Sequence, residues 1–150
     1  MKILAENRKA YFDYEVLEKF EAGLALNGRE VKSIKNGHIS IGGSYVVIDK
    51  KNEAFLLGAN VPPYQPNNTP SDYDPGRSRK LLLRKKEIKY LLGKAQERGL
   101  TLIPHKVYTN DGMIKLEFGV GKGKKKFDKR ETIKKRDTEM DIRRELRTRG

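Results

Sequence analysis

Basic side chains gather at three places along the sequence: Arg8-Lys9; then Arg77, Arg79, Lys80, Arg84, Lys85 and Lys86; and Lys122-Gly123-Lys124-Lys125-Lys126. The chemistry open to such clusters is contact with phosphates, because each neutralised phosphate of a polyanion releases condensed counterions and the contributions accumulate. One cluster alone reads as a solvated face. Three on a 150-residue chain of net charge +13 point to a polyanionic partner. Aromatic rings refine this. Tyr11, Phe12 and Tyr14 lie beside Arg8-Lys9, and Phe127 lies inside the last basic run. Rings that can stack on unpaired bases favour structured or single-stranded RNA over a uniform duplex. Tyr45, Phe55 and Phe118 fall within apolar runs and are expected to pack in the core.

Few side chains could carry catalysis. The chain has no cysteine, hence neither a disulfide, a thiolate metal site nor a thiol nucleophile. Its two histidines, His38 and His105, have no carboxylate close in sequence, and structural roles are expected for both. Asp72-Tyr73-Asp74 offers two carboxylates in a proline-rich stretch, where loop polarity is the simpler reading. No catalytic residue, no metal and no cofactor are expected, and the protein reads as a non-enzyme. No apolar run approaches the roughly 18 residues of a membrane span, and Met1-Lys2-Ile3-Leu4-Ala5-Glu6 lacks a signal-peptide core. A cytoplasmic protein without a membrane partner is expected.

The elements that must position these groups are mostly strands. Tyr14-Glu15-Val16-Leu17, Gly23-Leu24-Ala25-Leu26, Ser44-Tyr45-Val46-Val47-Ile48 and Ala54-Phe55-Leu56-Leu57 are short apolar or β-branched runs. Leu100-Thr101-Leu102-Ile103 and Lys106-Val107-Tyr108 follow later, and Asp111-Gly112 precedes the alternating run 113–118, a strong hairpin signal. Such short strands within about 120 residues predict a closed or nearly closed antiparallel barrel. Two helices flank it. Residues 27–37 have an Asn start and a Gly stop, and residues 84–98 carry Ile88, Leu91, Leu92 and Ala95 at helical spacing before Gly99. Residues 61–75 form a loop holding five of the six prolines. Residues 122–150 carry thirteen Lys or Arg against six Asp or Glu, with only five apolar side chains. That is too few to offset the entropy of ordering the segment, so the reading is a body over residues 1–121 and a basic tail over 122–150 that becomes helical only when bound.

Several motifs taken together resemble one family. Asn7-Arg8-Lys9-Ala10, Phe20-Glu21-Ala22-Gly23, Gly28-x-Glu30-Val31-Lys32-Ser33, Gly43-Ser44-Tyr45, Asp74-Pro75-x-Arg77-x-Arg79-Lys80-Leu81-Leu82-Leu83 and Gly123-Lys124-Lys125-Lys126-Phe127-Asp128-Lys129-Arg130 occur in the order and at the spacing of small protein B. The resemblance covers nearly the whole chain. It implies a mainly β, oligonucleotide-binding (OB-like) barrel that binds the tRNA-like domain of transfer-messenger RNA and brings it to stalled ribosomes. RNA contacts are implied at Asn7, Arg8, Lys9, Tyr14, Glu21, Glu30, Lys32, Arg79, Lys80, Leu82, Lys115 and Lys122. Glu21 and Leu82 are residues that charge would never select, and a carboxylate there serves as an acceptor from base or ribose donors. In the tail, Lys124, Lys125, Lys126, Phe127, Asp128, Lys129, Arg130, Ile133, Lys134 and Arg136 match the segment thought to enter the vacant messenger channel beyond the small-subunit decoding region. The implied partners are transfer-messenger RNA and the ribosome and, indirectly, alanyl-tRNA synthetase and elongation factor Tu. The rival reading is a ribosomal or general structured-RNA-binding protein, which composition alone would serve as well.

Overall fold

The computed structural model describes residues 1–124; the tail positions Lys125, Lys126, Phe127, Asp128, Lys129, Arg130, Ile133, Lys134 and Arg136 lie outside the described residues. The element order is β1 (Lys2–Glu6), α1 (Arg8–Asp13), β2 (Tyr14–Leu24), α2 (Gly28–Lys35), β3 (Tyr45–Ile48), β4 (Ala54–Leu57), β5 (Arg79–Leu82), α3 (Lys85–Gln96), β6 (Leu100–Asn110) and β7 (Met113–Gly123). All strand pairs are antiparallel, in one sheet of order β1-β6-β7-β2-β5-β4-β3. The sheet curls until β3 packs against β6 without a hydrogen-bonded ladder, which makes it an open barrel consistent with the OB-like class.

Two long strands replace pairs of expected short ones. β2 joins the runs starting at Tyr14 and Gly23, and β6 joins those starting at Leu100 and Lys106. Each is interrupted by a bulge, between Val16 and Glu18 and between Pro104 and Lys106. A bulge shifts the alternation by one, so the apolar pattern breaks although the strand does not. Pro104 sits at the second bulge, where a missing N–H is tolerated. β7 continues through Gly121 to Gly123, and Lys124 is still tied down: its N–H donates to Asp13 O (2.9 Å) and its Nζ to Tyr11 O (3.0 Å).

The β6–β7 hairpin turns on Asp111 (φ 51°) and Gly112 (φ 78°), both left-handed as a type I′ turn needs. Helix α2 opens with a capping box, Asn27 Oδ1 accepting from Glu30 N (2.8 Å) and Glu30 Oε1 from Asn27 N (3.1 Å). It closes with a Schellman motif: left-handed Gly37 donates to Ile34 O (2.8 Å) and His38 N to Ser33 O (3.0 Å). In α3, Leu91 is fully buried and Ile88 and Leu92 partly so. Ala95 is exposed, so the apolar stripe is one turn shorter than its spacing predicts.

Inside the barrel, Ile114, Leu116, Phe118 and Val120 of β7 meet Ala22, Leu56, Leu81 and Val107. Full burial of each large side chain contributes roughly 1.5–3 kcal/mol. On the opposite side of β7, a Cβ at Gly119 would stand 2.2 Å from Glu18 O and 2.9 Å from the His105 ring. Only glycine lets the bulged strands approach that closely.

Candidate nucleic-acid interface

The alternation of the strands sorts the expected RNA-contacting residues into groups that their order in the chain does not reveal. On the outer face, Gly23 of β2 pairs with Lys115 of β7 on one side and Leu82 of β5 on the other. Glu21, two residues back on the same face, joins them. Glu21, Lys80, Leu82 and Lys115 thus line one groove of about 720 Å³, walled on its far side by Arg84, Lys85 and Glu87 at the start of α3. Leu82 is 55% exposed, although large apolar side chains of a barrel strand ordinarily face inward. Lys80 is held by Glu53 (3.5 Å), while Lys115 has no ion pair among the described residues.

Glu21 is aimed rather than loose. Buried Tyr108 donates its hydroxyl to Glu21 Oε2, and burial together with that carboxylate pushes the phenol far above its usual range. Tyr108 therefore stays protonated and donates to the Glu21 carboxylate. The other carboxylate oxygen has no protein donor among the described residues. A fixed, half-satisfied carboxylate across the groove from Lys115 can accept from a base or ribose hydroxyl while that lysine meets a flanking phosphate.

Three other expected residues face inward. Asn7, Glu30 and Arg79 are 4%, 1% and 1% exposed. Asn7 spends its backbone N–H on His105 O (2.7 Å) and its side-chain amide on Pro104 O (3.0 Å), pinning α1 to the β6 bulge. Arg79 grips Glu30 Oε2 through Nε (3.0 Å) and Nη2 (2.8 Å), and its Nη1 donates to the carbonyls of Ala59, Pro75 and Arg77. Arg77 adds Nε to Glu30 Oε2 (3.0 Å) and Nη2 to Glu30 Oε1. Tyr73 caps the cluster by donating to Val61 O (2.8 Å). Burial opposes the Glu30 charge, but the bonds from Arg77, Asn27 and Arg79 prevail and hold its carboxyl below the usual value. The cluster ties the proline-rich loop to α2 and offers a phosphate little: of Glu30, Arg79 and Arg77, Arg77 alone reaches the surface, its side chain 36% exposed.

Lys9 and Tyr14 line a second groove of about 360 Å³ together with Ser44, Tyr45 and Thr101. Lys32 lies in a third, of about 670 Å³, beside Arg29 and Arg77 and with its ammonium 5.9 Å from the Tyr64 ring. Arg8 and Lys122 are exposed outside all of these, Arg8 with Glu6 at 3.9 Å. His105 is buried, stacked on Tyr11 at 5.0 Å with Nδ1 3.5 Å from Glu117 Oε2; β7 supplies the carboxylate partner missing nearby in sequence. Burial pushes its pKa down against the pull of Glu117.

Sequence reasoning missed Tyr108, which aims Glu21, and Tyr45, which is 47% exposed rather than in the core. Nothing in the sequence marks the first, since it depends on the register between β6, β7 and β2. A signal for the second existed: Tyr45 opens its strand, where the alternation starting from buried Val46 turns it outward.

The fold and its open basic grooves define an RNA-binding protein of the OB-like barrel class. The chain belongs to the SmpB protein family, whose model matches residues 4–148. It is 51% identical over 148 residues to the SsrA-binding protein of Thermosipho melanesiensis, covering 98% of this chain and 99% of that one. To the SsrA-binding protein of Carboxydothermus hydrogenoformans it is 48% identical, covering 99% and 98%. Among solved structures it is similar to a chain described under "tmRNA-SmpB: a journey to the center of the bacterial ribosome", with TM-score 0.66, 44% identity and coverage of 81% and 84%.

Proposed function

We propose that this protein is a non-enzymatic adaptor that binds the tRNA-like domain of transfer-messenger RNA and delivers it to stalled ribosomes. The observation that carries the reading is the groove where three strands bring Glu21, Lys80, Leu82 and Lys115 together, with Tyr108 aiming the carboxylate. Chance solvation of a basic surface does not build a buried tyrosine behind an exposed glutamate. The family and the names of the relatives supply the partner. The division of labour is a body of residues 1–121 that holds the RNA and a tail of residues 122–150 that engages the ribosome, Asp128, Lys129 and Arg130 in its messenger channel. Asn7, Glu30 and Arg79 act through position, shaping the surfaces that Lys9, Tyr14, Lys32 and Lys80 present. Alanyl-tRNA synthetase and elongation factor Tu are partners indirectly, through the same RNA.

The test is RNA recovered with the tagged full-length protein from bacterial cells, under salt that strips nonspecific contacts. Strong enrichment of the single transfer-messenger RNA is expected. Recovery of bulk ribosomal RNA with no such enrichment refutes the reading in favour of a general ribosomal protein.

A further inference from the structure

We propose that a fourth groove, between α3 and the turn joining β3 to β4, is a docking site for a protein segment in which carboxylates flank an aliphatic side chain. The inference goes beyond the functional reading above. It rests on the chemistry of this groove and not on the identity of the RNA.

Helix α3 buries only part of its apolar stripe. Leu91 joins the core, whereas Ile88 and Leu92 stay outside the core cluster and partly exposed. They floor a groove of about 560 Å³, within the range of small binding sites, whose exposed rim is Lys85 and Lys89 on the helix and Lys51 and Asn52 on the turn. The turn is fixed in place. Asp49 Oδ1 accepts from Lys51 N (3.0 Å) and Glu53 N (2.9 Å), and Asp49 N donates to Glu53 O (2.9 Å). Asn52 takes the left-handed conformation, φ 60°, and its N–H donates to Asp49 O (3.1 Å). A wall held in this way costs a partner little ordering entropy.

The fold leaves the charges around that floor uncompensated. None of Lys51, Lys85 and Lys89 has an ion pair among the described residues, and no carboxylate lines the groove. The acids nearest in sequence are engaged elsewhere: Asp49 with the turn backbone, Glu53 with Lys80 (3.5 Å), and Glu87 accepting from Arg84 N (3.1 Å). Three ammonium groups around two aliphatic side chains are complementary to carboxylates around an aliphatic anchor. RNA is a poorer fit. No ring lines the groove for a base to stack on, and a phosphate strand crossing it would leave Ile88 and Leu92 uncovered. A peptide meets both demands, its apolar side chain covering the floor and its carboxylates meeting the rim. Its backbone can also bond the Asn52 side-chain amide, which has no partner among the described residues.

The probe is a fluorescein-labelled peptide in which leucines alternate with pairs of glutamates, titrated by anisotropy against the full-length protein. Binding is expected, about tenfold weaker when the leucines become alanines. Lys51→Glu combined with Lys89→Glu should also weaken it about tenfold, and both positions are exposed, so circular dichroism should show an intact fold. Transfer-messenger RNA binding by this double variant should stay within a few-fold of wild type, because neither lysine lines the Glu21 groove. The site is then probed in bacterial cells by placing p-benzoylphenylalanine at Gly93, one turn beyond Lys89, where a Cβ meets nothing within 4 Å. Photo-crosslinks are expected on another protein, at a segment with carboxylates flanking an aliphatic residue, and should vanish when Lys51→Glu and Lys89→Glu are added. Four results overturn the proposal: no peptide binding, binding that survives loss of the leucines, crosslinks to RNA, or crosslinks confined to this chain itself. Absence of specific transfer-messenger RNA binding by the wild-type protein would instead refute the functional reading.

Discussion

Two glutamates set among basic residues, Glu30 and Glu21, show how differently the fold uses the same chemistry. Glu30 is 1% exposed and receives donors from Arg77, Arg79 and Asn27. Glu21 is exposed and, among the described residues, receives one donor, from Tyr108, while Lys115 across the groove has no ion pair there. A charge network that satisfies itself leaves little for a partner and stabilises the architecture. One left half-satisfied in water contributes little to stability and is available to RNA. Charge density along the chain does not separate them.

The sharpest way to break this contrast is Glu30→Ala. It leaves the Arg79 guanidinium buried and uncompensated, so a loss of about 3–5 kcal/mol is expected in urea unfolding. Glu21→Ala should stay within about 0.5 kcal/mol of wild type in the same assay, as exposed substitutions do. Comparable losses at both sites would erase the distinction.

The reciprocal test is RNA binding. Glu21→Lys makes the protein more basic yet removes the acceptor, and specific affinity should fall by at least tenfold, the scale of a lost hydrogen bond to a charged group. Tyr108→Phe, which frees the carboxylate without removing it, should cost only a few-fold. Lys115→Ala should lower the salt slope by about 0.7–0.9, one phosphate's worth. Tighter specific binding by a folded Glu21→Lys protein would return the site to plain electrostatics.

The smallest expected effect is on pH dependence. His105 and Glu30 both titrate below their ordinary values in the folded protein, 6.5 and 4.5. For each, the stability contributed is complete above the unfolded value and is lost as pH falls through the folded one. Melting temperature should therefore hold near neutrality, begin to fall below about pH 6.5, and fall again below about 4.5 as Glu30 takes up a proton. His105→Gln should remove the first decline and leave the second, as read from thermal melts across pH. A first decline that persists in that variant would assign it to another group.

Much was legible before any coordinates. The Asp111-Gly112 turn, the caps of α2, the body of α3 and the core role of Phe118 follow from local chemistry, because turn dihedrals and helix ends are decided by neighbours a few residues apart. β5 was not legible. Its first inward position holds Arg79, and an arginine facing a core is readable only once Glu30, 49 residues earlier, is known to meet it. β1 and α1 were missed as well, β1 as a short edge strand whose Ile3 stays exposed, α1 as six residues held by Asn7 through long-range bonds.

The sequence by itself determined the polyanion-binding character, the antiparallel barrel class and the family, because net charge, turn chemistry and motif order survive without a fold. Only the tertiary structure decided which charges are structural and which are open, and which tyrosine aims a carboxylate and which lies bare. Those outcomes depend on strand register, which shifts at a bulge between β2 and β7 and at another between β6 and β7. Register is a relation between distant segments, and no local pattern encodes it.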